Sequence, residues 1–330
     1  MWTKGLTIIA AHCAAFFWTA SLYADAAGFA IPLTVIQADP HHAGTVLAGT
    51  ATAQLFRSRD GGDTWTPLPF PVALRANLHA LLIDPGRPDV YLAAVSSETL
   101  HLAGVFRSLD DGQTWQQLPG LENRQVWALA YWSADARVIA AGAQDGVYLT
   151  RDAGENWTRL SATGSDGPQP VVSLAFDPTD SQVLYAGTPH LAWRTADGGA
   201  TWQRIPKGMI DDSDIFAINV DESQRKRLLA AACNGIYRSV DGGSTWSSLE
   251  RALGGQERTY FVVRAPRRPN LVFAGTSSGL MQSFDGGTTW FRRSAVRARS
   301  IAFDPIDPRR MFVATDRGIL RSGDGGIRFR

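Results

Sequence analysis

The chain has 330 residues, a formal net charge of +1, 45% hydrophobic residues and 19% charged residues. This balance excludes a disordered chain, and the near-neutral charge excludes a general nucleic-acid-binding protein. The length fits one large all-β unit, because rings and barrels of this size form a single domain.

The first 26 residues read as a signal peptide. Lys4 gives a positive start, an apolar run extends from Leu6 to Tyr23, and Ala24-Asp25-Ala26 fits a cleavage site. The alternative is an uncleaved membrane anchor, although His12 would be costly inside a bilayer. We expect cleavage, a mature domain of residues 27–330, and export to the periplasm or the extracellular space. Membrane contact is expected only through an uncleaved leader.

A turn motif of the form Ser/Thr-x-Asp-x-Gly-x-Thr-Trp then recurs seven times, first at residues 58–65 and last, in degraded form, at residues 322–329. Successive motif aspartates are 50, 42, 45, 44, 44 and 39 residues apart, which is the period of a four-stranded propeller blade. The motif aspartates and tryptophans are Asp60, Trp65, Asp110, Trp115, Asp152, Trp157, Asp197, Trp202, Asp241, Trp246, Asp285, Trp290 and Asp324.

The segments between motifs predict four strands per repeat. An apolar strand ends near Asp-Pro, as at residues 81–85, and a second strand follows, as at residues 183–188. A third strand leads into the motif, as at residues 235–239, and a fourth starts at the motif tryptophan, as at residues 202–205. These segments are rich in β-branched and aromatic residues and are bounded by Gly, Pro and Asp. The predicted fold is an all-β, seven-bladed propeller of four-stranded antiparallel blades.

The motif itself has a structural interpretation as the turn between strands three and four. Its Asp can accept backbone N–H groups, and its Gly can take a positive φ. Each Trp would bury its ring between adjacent sheets and contribute about 1.5–3 kcal/mol by area. Ligand stacking on these rings is the alternative.

The ends of the chain predict how the ring closes. Arg330 follows Phe329 directly, so the last repeat lacks its fourth strand. We expect residues 27–32, which precede the first innermost strand, to supply it, so that the N-terminal strand closes the ring.

These residues resemble the BNR/Asp-box repeat of sialidases, sortilin-type receptors, xyloglucanase-type hydrolases and photosystem II stability/assembly factor-like propellers. The resemblance covers residues 30–330 and is strongest for the assembly-factor-like and sortilin-like propellers. It implies an interaction module, but a shared fold does not transfer an activity.

A glycoside hydrolase is the alternative that this resemblance raises. Sialidases combine an arginine cluster with a Tyr nucleophile assisted by Glu, and Arg204-Ile205-Pro206 matches their Arg-Ile-Pro triplet. Here, however, the triplet follows the fourth motif in an outer strand. Glu257 and Tyr260 lie beside one strand with no carboxylate identified opposite them. Xyloglucanase-type enzymes resemble two facing propellers, and this chain has residues for one. We therefore assign no catalytic residues.

Metal and cofactor signals are weak. The segment Asp211-Asp212-Ser213-Asp214 could offer oxygens to Ca²⁺, but no second ligand set is spaced to complete a cage, which favours a solvated acidic loop. The histidines show no metal-ligand spacing. We expect no metal and no cofactor.

Charge is distributed unevenly and suggests a partner surface. Residues 258–330 carry 14 Arg against 5 Asp, a charge of +9, whereas residues 27–257 carry 17 basic and 25 acidic residues, a charge of −8. An acidic protein segment, an anionic glycan or a lipid headgroup would suit such arginines. An ordinary Arg-rich surface is the alternative. The predicted patch consists of Arg258, Arg292, Arg293, Arg297 and Arg299.

The longest insertion, residues 95–104, adds His101 to the predicted contact residues, because an enlarged loop on a rigid scaffold is a common contact site. A tolerated insertion is the alternative. We therefore predict an exported, monomeric, non-catalytic scaffold that binds or helps to assemble a protein partner. The alternative function is a glycan-active or glycan-binding propeller.

Overall fold

The computed structural model describes residues 32–71, 75–160, 167–249 and 257–330. These residues form 27 strands and one short 3₁₀ helix, η1 (Leu100–Leu102). None of the helices in this part of the chain is long and apolar enough to cross a membrane. The predicted signal peptide, residues 1–26, lies outside the described residues.

The strands form seven antiparallel sheets, and each sheet takes strands that are consecutive in sequence. Blade 1 comprises β1 (Leu33–Ala38), β2 (Val46–Thr50), β3 (Leu55–Ser58) and β4 (Thr66–Leu68). Blade 2 comprises β5 (Ala76–Ile83), β6 (Tyr91–Ser97), β7 (Gly104–Ser108) and β8 (Gln116–Gln117). Blade 3 comprises β9 (Val126–Trp132), β10 (Asp135–Ala143), β11 (Gly146–Thr150) and β12 (Thr158–Arg159). Blade 4 comprises β13 (Ser173–Asp177), β14 (Asp180–Gly187), β15 (Ala192–Thr195) and β16 (Gln203–Arg204).

The remaining blades follow the same order. Blade 5 comprises β17 (Ile215–Val220), β18 (Leu228–Ala232), β19 (Gly235–Ser239) and β20 (Ser247–Ser248). Blade 6 comprises β21 (Thr259–Ala265), β22 (Arg268–Thr276), β23 (Gly279–Ser283) and β24 (Phe291–Ser294). Blade 7 comprises β25 (Ala298–Phe303), β26 (Met311–Thr315) and β27 (Gly318–Ser322). The predicted seven-bladed, all-β propeller is confirmed.

Blade 7 has three assigned strands, and Arg330 stands at the start of the fourth. Its N–H and C=O both hydrogen-bond Arg321 of β27, at 3.0 and 2.8 Å, just as Thr66 at the start of β4 pairs with Arg57. Of the segment expected to close the ring, residues 27–31 lie outside the described residues. Pro32 accepts a hydrogen bond from Ala51 N–H at 3.1 Å and so extends β1 beside its own blade.

Seven hydrophobic clusters hold the ring, one at each junction between consecutive blades. The cluster between blades 7 and 1 includes Phe312 and Leu33, and Gly44 N–H also donates to Asp304 Oδ2 at 3.0 Å across this junction. Each motif tryptophan packs against the junction with the preceding blade; Trp246 is buried there and the other five are half-buried. Burial of apolar area at every junction is the main stabilising contribution that these contacts provide.

The fourth motif shows why the turn has its composition. Asp197 Oδ1 accepts Thr201 N–H at 2.9 Å, and its Oδ2 accepts the Thr201 hydroxyl at 2.6 Å. Thr195 Oγ1 donates to Asp197 and accepts Gly199 N–H, at 2.7 and 2.9 Å. Gly199 has a φ of +93°, and a Cβ there would lie 2.5 Å from Leu160. These hydrogen bonds, led by the Thr201 hydroxyl, lower the pKa of Asp197 to about 2.

Polar side chains also join four of the motifs to the preceding blade. The donor is the side chain of the third-strand residue that immediately precedes the motif Ser or Thr. The acceptor is the backbone C=O of the residue that immediately follows the motif Asp in the next blade. Four junctions show this bond: Arg57 to Asp111 at 2.8 Å, Arg107 to Ala153 at 3.3 Å, Gln282 to Gly325 at 2.9 Å and Arg321 to Gly61 at 3.2 Å. The last bond joins blade 7 to blade 1, so the closing junction uses the same contact as the others.

Candidate functional site

The antiparallel order gives the ring two distinct faces. The motif turn lies beside the turn between first and second strands, as the hydrogen bond from Gly242 N–H to Lys226 O shows, and we call this side the box face. The connections between blades meet the turns between second and third strands on the other side, as the bond from Ser277 N–H to Arg258 O shows. We call this second side the loop face.

Six of the seven innermost strands carry an irregularity in pairing near their loop-face end, where one residue is extra to the ladder. Bulges of this kind redirect a side chain and are frequent beside functional sites. Because successive innermost strands contact one another around the axis, these residues surround the axis at the loop face. All six are half-buried, and we call them the mouth ring: Thr34, His79, Trp127, Phe216, Tyr260 and Arg299.

At the junction of blades 5 and 6, a guanidinium stacks on a mouth-ring aromatic. Arg258, the residue before β21, lies with its Cζ 4.8 Å from the ring centroid of Phe216 in β17. Its Nη2 is 3.3 Å from Asp214 Oδ2, and its side chain is 45% exposed. The aromatic face and the carboxylate together fix the orientation of the guanidinium.

The junction of blades 6 and 7 repeats the arrangement. Arg299 Cζ lies 4.7 Å from the ring centroid of Tyr260, and its Nε donates to Asp316 Oδ1 at 2.8 Å. Arg297 Nη1 lies 3.5 Å from the other oxygen of Asp316. In both places one blade provides the ring and the next provides the guanidinium. Blades 5 to 7 therefore line one sector of the loop face with aromatic rings and with arginines that each also face an Asp.

The blade 2 side of the mouth ring is neutral. His79 Nε2 and Ser96 Oγ are 2.6 Å apart. Burial lowers the pKa of His79 to about 4, so its imidazole is uncharged at neutral pH.

The structure divides the predicted arginine patch into two groups. Arg258, Arg297 and Arg299 lie together on the loop face. Arg292 and Arg293 lie on β24, the outermost strand of blade 6, where Arg293 stacks over Phe284 and Phe291 at 5.5 and 5.8 Å. His101 is exposed on η1 in blade 2, two junctions away from blade 7.

Sequence reasoning did not find the mouth ring. Its members share no residue type. What they have in common is their position in the repeat, immediately after a buried residue near the start of each innermost strand. Aligning the repeats on that buried residue would have placed Phe216, Tyr260 and Arg299 at one position.

The residues considered for a hydrolase have other partners. Glu257 accepts hydrogen bonds from Ser277 Oγ at 2.8 Å and Ser278 N–H at 3.1 Å, so it caps the turn between β22 and β23. Burial raises the pKa of Glu257, but the hydrogen bonds from both serines outweigh it, and the pKa is lowered. Arg204 lies on the outermost strand β16 and stacks over Trp193 at 4.9 Å.

The acidic segment between blades 4 and 5 directs its side chains to separate partners. Asp212 Oδ1 lies 2.6 Å from His190 Nδ1, and Asp214 faces Arg258. Ser213 Oγ donates to Ile210 O at 2.7 Å. No cluster of His, Cys, Asp and Glu suited to a metal ion occurs in the described ranges.

Comparisons with known proteins agree with this fold. A Sortilin-Vps10 family model, described as sortilin, neurotensin receptor 3, matches residues 103–209, about a third of the chain. An ancestral GH74 enzyme has a TM-score of 0.76 at 18% identity, with 93% of this chain and 46% of that chain covered. The GH74 xyloglucanase from Xanthomonas campestris gives 0.73 at 18%, with 93% and 53% covered.

A further structure, YCF48 bound to D1 peptide, has a TM-score of 0.64 at 19% identity, with 88% of this chain and 91% of that chain covered. The chain therefore spans about half the length of the GH74 structures but nearly the whole of the YCF48 structure. No curated protein is significantly similar in sequence. The predicted resemblance to sortilin-like and assembly-factor-like BNR propellers is confirmed.

Proposed function

We propose that this propeller is a non-catalytic scaffold that holds an acidic segment of a protein partner at the mouth ring. The observation that carries the proposal is the pair of stacked guanidinium groups, Arg258 on Phe216 and Arg299 on Tyr260. A guanidinium has five N–H donors in a fork that matches a carboxylate, and Asp214 contacts one nitrogen of Arg258. The neighbouring aromatic rings offer apolar contact to the residues beside such a carboxylate.

The ionisation of the carboxyl groups favours binding over hydrolysis. A glycoside hydrolase needs a carboxylic acid with a raised pKa to protonate the leaving group. In the described part of the chain, every Asp or Glu with a resolved shift has a lowered pKa, including Glu257, the residue considered as the partner of a Tyr nucleophile.

The structural neighbours support the same ligand class. The YCF48 structure, which this chain matches along most of both lengths, is bound to a peptide, whereas the GH74 structures extend well beyond the matched part. An extended acidic peptide is therefore our proposed ligand for the mouth ring.

Fluorescence anisotropy with labelled synthetic peptides tests this function. The probes are peptides of about twelve residues rich in Asp and Tyr, and matched peptides with Asn in place of Asp. We expect the acidic peptides to bind more tightly, and Arg299→Gln to weaken their binding about 10-fold. The matched control is Arg267→Gln, an exposed arginine on the box face. Equal binding of both peptide sets, or unchanged affinity in both Arg258→Gln and Arg299→Gln, overturns the proposal.

A glycan is the second candidate ligand, because Trp127, Phe216 and Tyr260 give the mouth ring three aromatic side chains that a sugar ring can stack on. A panel of sialosides, xyloglucan and other β-glucans separates the two functions. Saturable hydrolysis that is lost in Glu257→Gln or Tyr260→Phe would identify an enzyme and contradict the scaffold function.

We also propose that the protein acts after export of residues 27–330. N-terminal sequencing of the protein from the envelope or the medium is expected to start near Ala27. A chain that retains Met1 in the cytoplasm contradicts this location.

A further inference from the structure

The box face of blades 5 to 7 exposes large apolar side chains. Seven such side chains are exposed among the described residues, and five of them lie here. They are Val240 (64%), Phe284 (45%), Phe291 (51%), Ile306 (66%) and Ile327 (57%). Val240 and Phe284 precede the motif aspartates of blades 5 and 6, Phe291 starts β24, and Ile306 and Ile327 lie on two turns of blade 7. The exposed residues therefore belong to three blades of one face, and Phe284 and Phe291 of blade 6 lie with their ring centroids 6.1 Å apart, with Arg293 stacked over both.

Basic side chains surround these apolar residues. The turns between first and second strands, together with the last motif, present Arg225, Lys226, Arg267, Arg268, Arg309, Arg310 and Arg328, all exposed. Five of these, Lys226, Arg267, Arg268, Arg310 and Arg328, make no ion pair with another described residue. The acids on these turns are Glu222, which is exposed, Asp307, which pairs with Arg309 at 2.9 Å, and the motif aspartates. The motif aspartates Asp241, Asp285 and Asp324 accept hydrogen bonds within their own turns. We call the five apolar and seven basic residues the basic-apolar arc.

The arc is not required by the repeat. At the position before the motif Asp, blades 1, 3 and 4 have Arg59, Arg151 and Ala196, and Leu109 in blade 2 is the other exposed apolar residue on this face. The turn is held by inward hydrogen bonds that are the same in every blade, so the outward residue can change without loss of the fold.

A shallow groove of about 570 Å³ lies at the edge of the arc, between blades 4 and 5. Its lining includes Thr179, Arg225, Lys226, Val240 and one acid, Glu222. Arg225 Nη1 is 3.2 Å from Thr179 Oγ1, so a hydroxyl and a guanidinium meet at one edge of the groove. These groups have the chemistry that binds a phosphate ester.

We propose that the basic-apolar arc docks the protein on an anionic phospholipid surface. Exposed apolar side chains on several turns of one face can enter the boundary between headgroups and acyl chains, while Lys and Arg beside them meet lipid phosphates. Because the apolar side chains are spread over three blades, a protein partner would need several separate pockets, whereas a bilayer presents one extended surface to all three blades. The sequence predicts membrane contact only through the leader, whereas the arc is a second surface for such contact and is independent of the mouth ring.

Vesicle flotation tests the proposal with protein lacking residues 1–26, so that the leader cannot bind lipid. All seven junction clusters lie within the remaining residues. We expect binding to phosphatidylcholine vesicles that contain about one third phosphatidylglycerol, and at least about 10-fold weaker binding to phosphatidylcholine alone or at about 0.5 M NaCl. Equal binding to both vesicles, or binding insensitive to salt, overturns the proposal.

Two sets of variants separate the arc from the rest of the surface. Val240→Ser/Phe284→Ser/Ile327→Ser is expected to lower vesicle binding about 10-fold, whereas Leu109→Ser, an equally exposed residue in blade 2, is not. Arg267→Glu/Arg268→Glu/Arg310→Glu is expected to abolish binding, and Arg151→Glu is its control. Thermal melts check folding, and the salt series on the unsubstituted protein does not depend on the variants. Binding to polyglutamate, as a probe for an acidic protein partner, is measured alongside. If the unsubstituted protein does not float with vesicles but binds polyglutamate, and the arc variants lose that binding, the occupant is a protein and the proposal is overturned.

Discussion

On the box face, blades 1 to 4 and blades 5 to 7 use the same turn but present different surfaces. In blades 1 to 4 several outward charges are paired, as Arg59 with Asp111 and Arg107 with Glu155. In blades 5 to 7 five outward residues are large and apolar, as Val240, and five are cations with no ion pair to another described residue, as Arg268, although Arg309 pairs with Asp307. The repeat therefore constrains the side chains that face inward and leaves the outward ones free to differ between the two regions.

The largest expected effect contrasts an inward and an outward residue of one turn. Trp246 is 5% exposed in the cluster between blades 4 and 5, and its Nε1 donates to Ile205 O at 2.9 Å. Trp246→Ala should lower the free energy of unfolding by about 3–5 kcal/mol, because it leaves a cavity. Val240→Ser, six residues earlier and 64% exposed, should change it by less than about 0.5 kcal/mol. Urea denaturation measures both, and similar losses would contradict the division between inward and outward residues.

A smaller effect is expected at an inward charge of blade 6. In five blades a buried Asp stands at the end of the innermost strand or just after it: Asp39, Asp84, Asp177, Asp221 and Asp304. Blade 6 has Ala265 at this position, and the buried charged residue is Arg264, one residue earlier. Arg264 is 8% exposed, donates to Asn219 Oδ1 at 2.7 Å, and has its Nε 3.6 Å from Asp221 Oδ2. Burial, only partly opposed by Asp221, lowers the pKa of Arg264 to about 10.

Arg264→Met should leave the Asp221 carboxylate buried with less compensation. Complete loss of one partner of a buried pair costs about 3–5 kcal/mol, and Arg227 still lies 3.8 Å from Asp221, so we expect a loss of about 2 kcal/mol. The control Arg267→Met removes an exposed cation three residues away and should have almost no effect on urea denaturation. An equal loss in the control would show that the inward position does not matter.

The smallest expected effect is the change of thermal stability with pH, which is negligible near neutral pH and appears only in acid. Motif aspartates in both regions contribute to it. Hydrogen bonds within the motif lower the pKa of Asp152, Asp197 and Asp285 to about 2. Because these folded-state values lie below the ordinary value near 3.9, their stabilisation is complete above about pH 5 and is lost as the pH falls from about 4 towards 2. The melting temperature should therefore be level near neutrality and fall below about pH 4.

Asp197→Asn provides the check on this assignment. The variant should melt at a lower temperature than the unsubstituted protein at neutral pH, and the difference should shrink as the pH approaches 2, because the Asp is then protonated as well. A difference that stays constant across this range would show that the carboxylate charge contributes nothing to the turn.

The sequence was sufficient for the blade count and for the antiparallel four-strand order, because the Asp, Gly and Trp of the motif are needed by local geometry at one fixed place in each repeat. It was not sufficient for the mouth ring. Whether Phe216 or Arg299 is extra to the ladder depends on its register with the second strand, and the stacking of Arg258 on Phe216 joins residues of different blades.

Proximity along the chain was also a poor guide to proximity in space. Arg293 and Arg297 are four residues apart, but one lies on the outermost strand of blade 6 and the other precedes the innermost strand of blade 7. The apolar residues before Cys233 predict a small buried residue in a strand, and that prediction is wrong. Because Ala232 pairs with Gly235, Cys233 falls in a two-residue turn and is half-buried.

The extra residue near the start of six innermost strands has a further consequence for how such a protein can change. Its side chain lies outside the regular pairing, so replacing it leaves the pairs on either side, such as Thr259 with Thr276 and Phe261 with Gly275, intact. Six of the seven blades thus offer one site at which selection or an engineer can alter ligand preference, one repeat at a time, without disturbing the strand pairing around it.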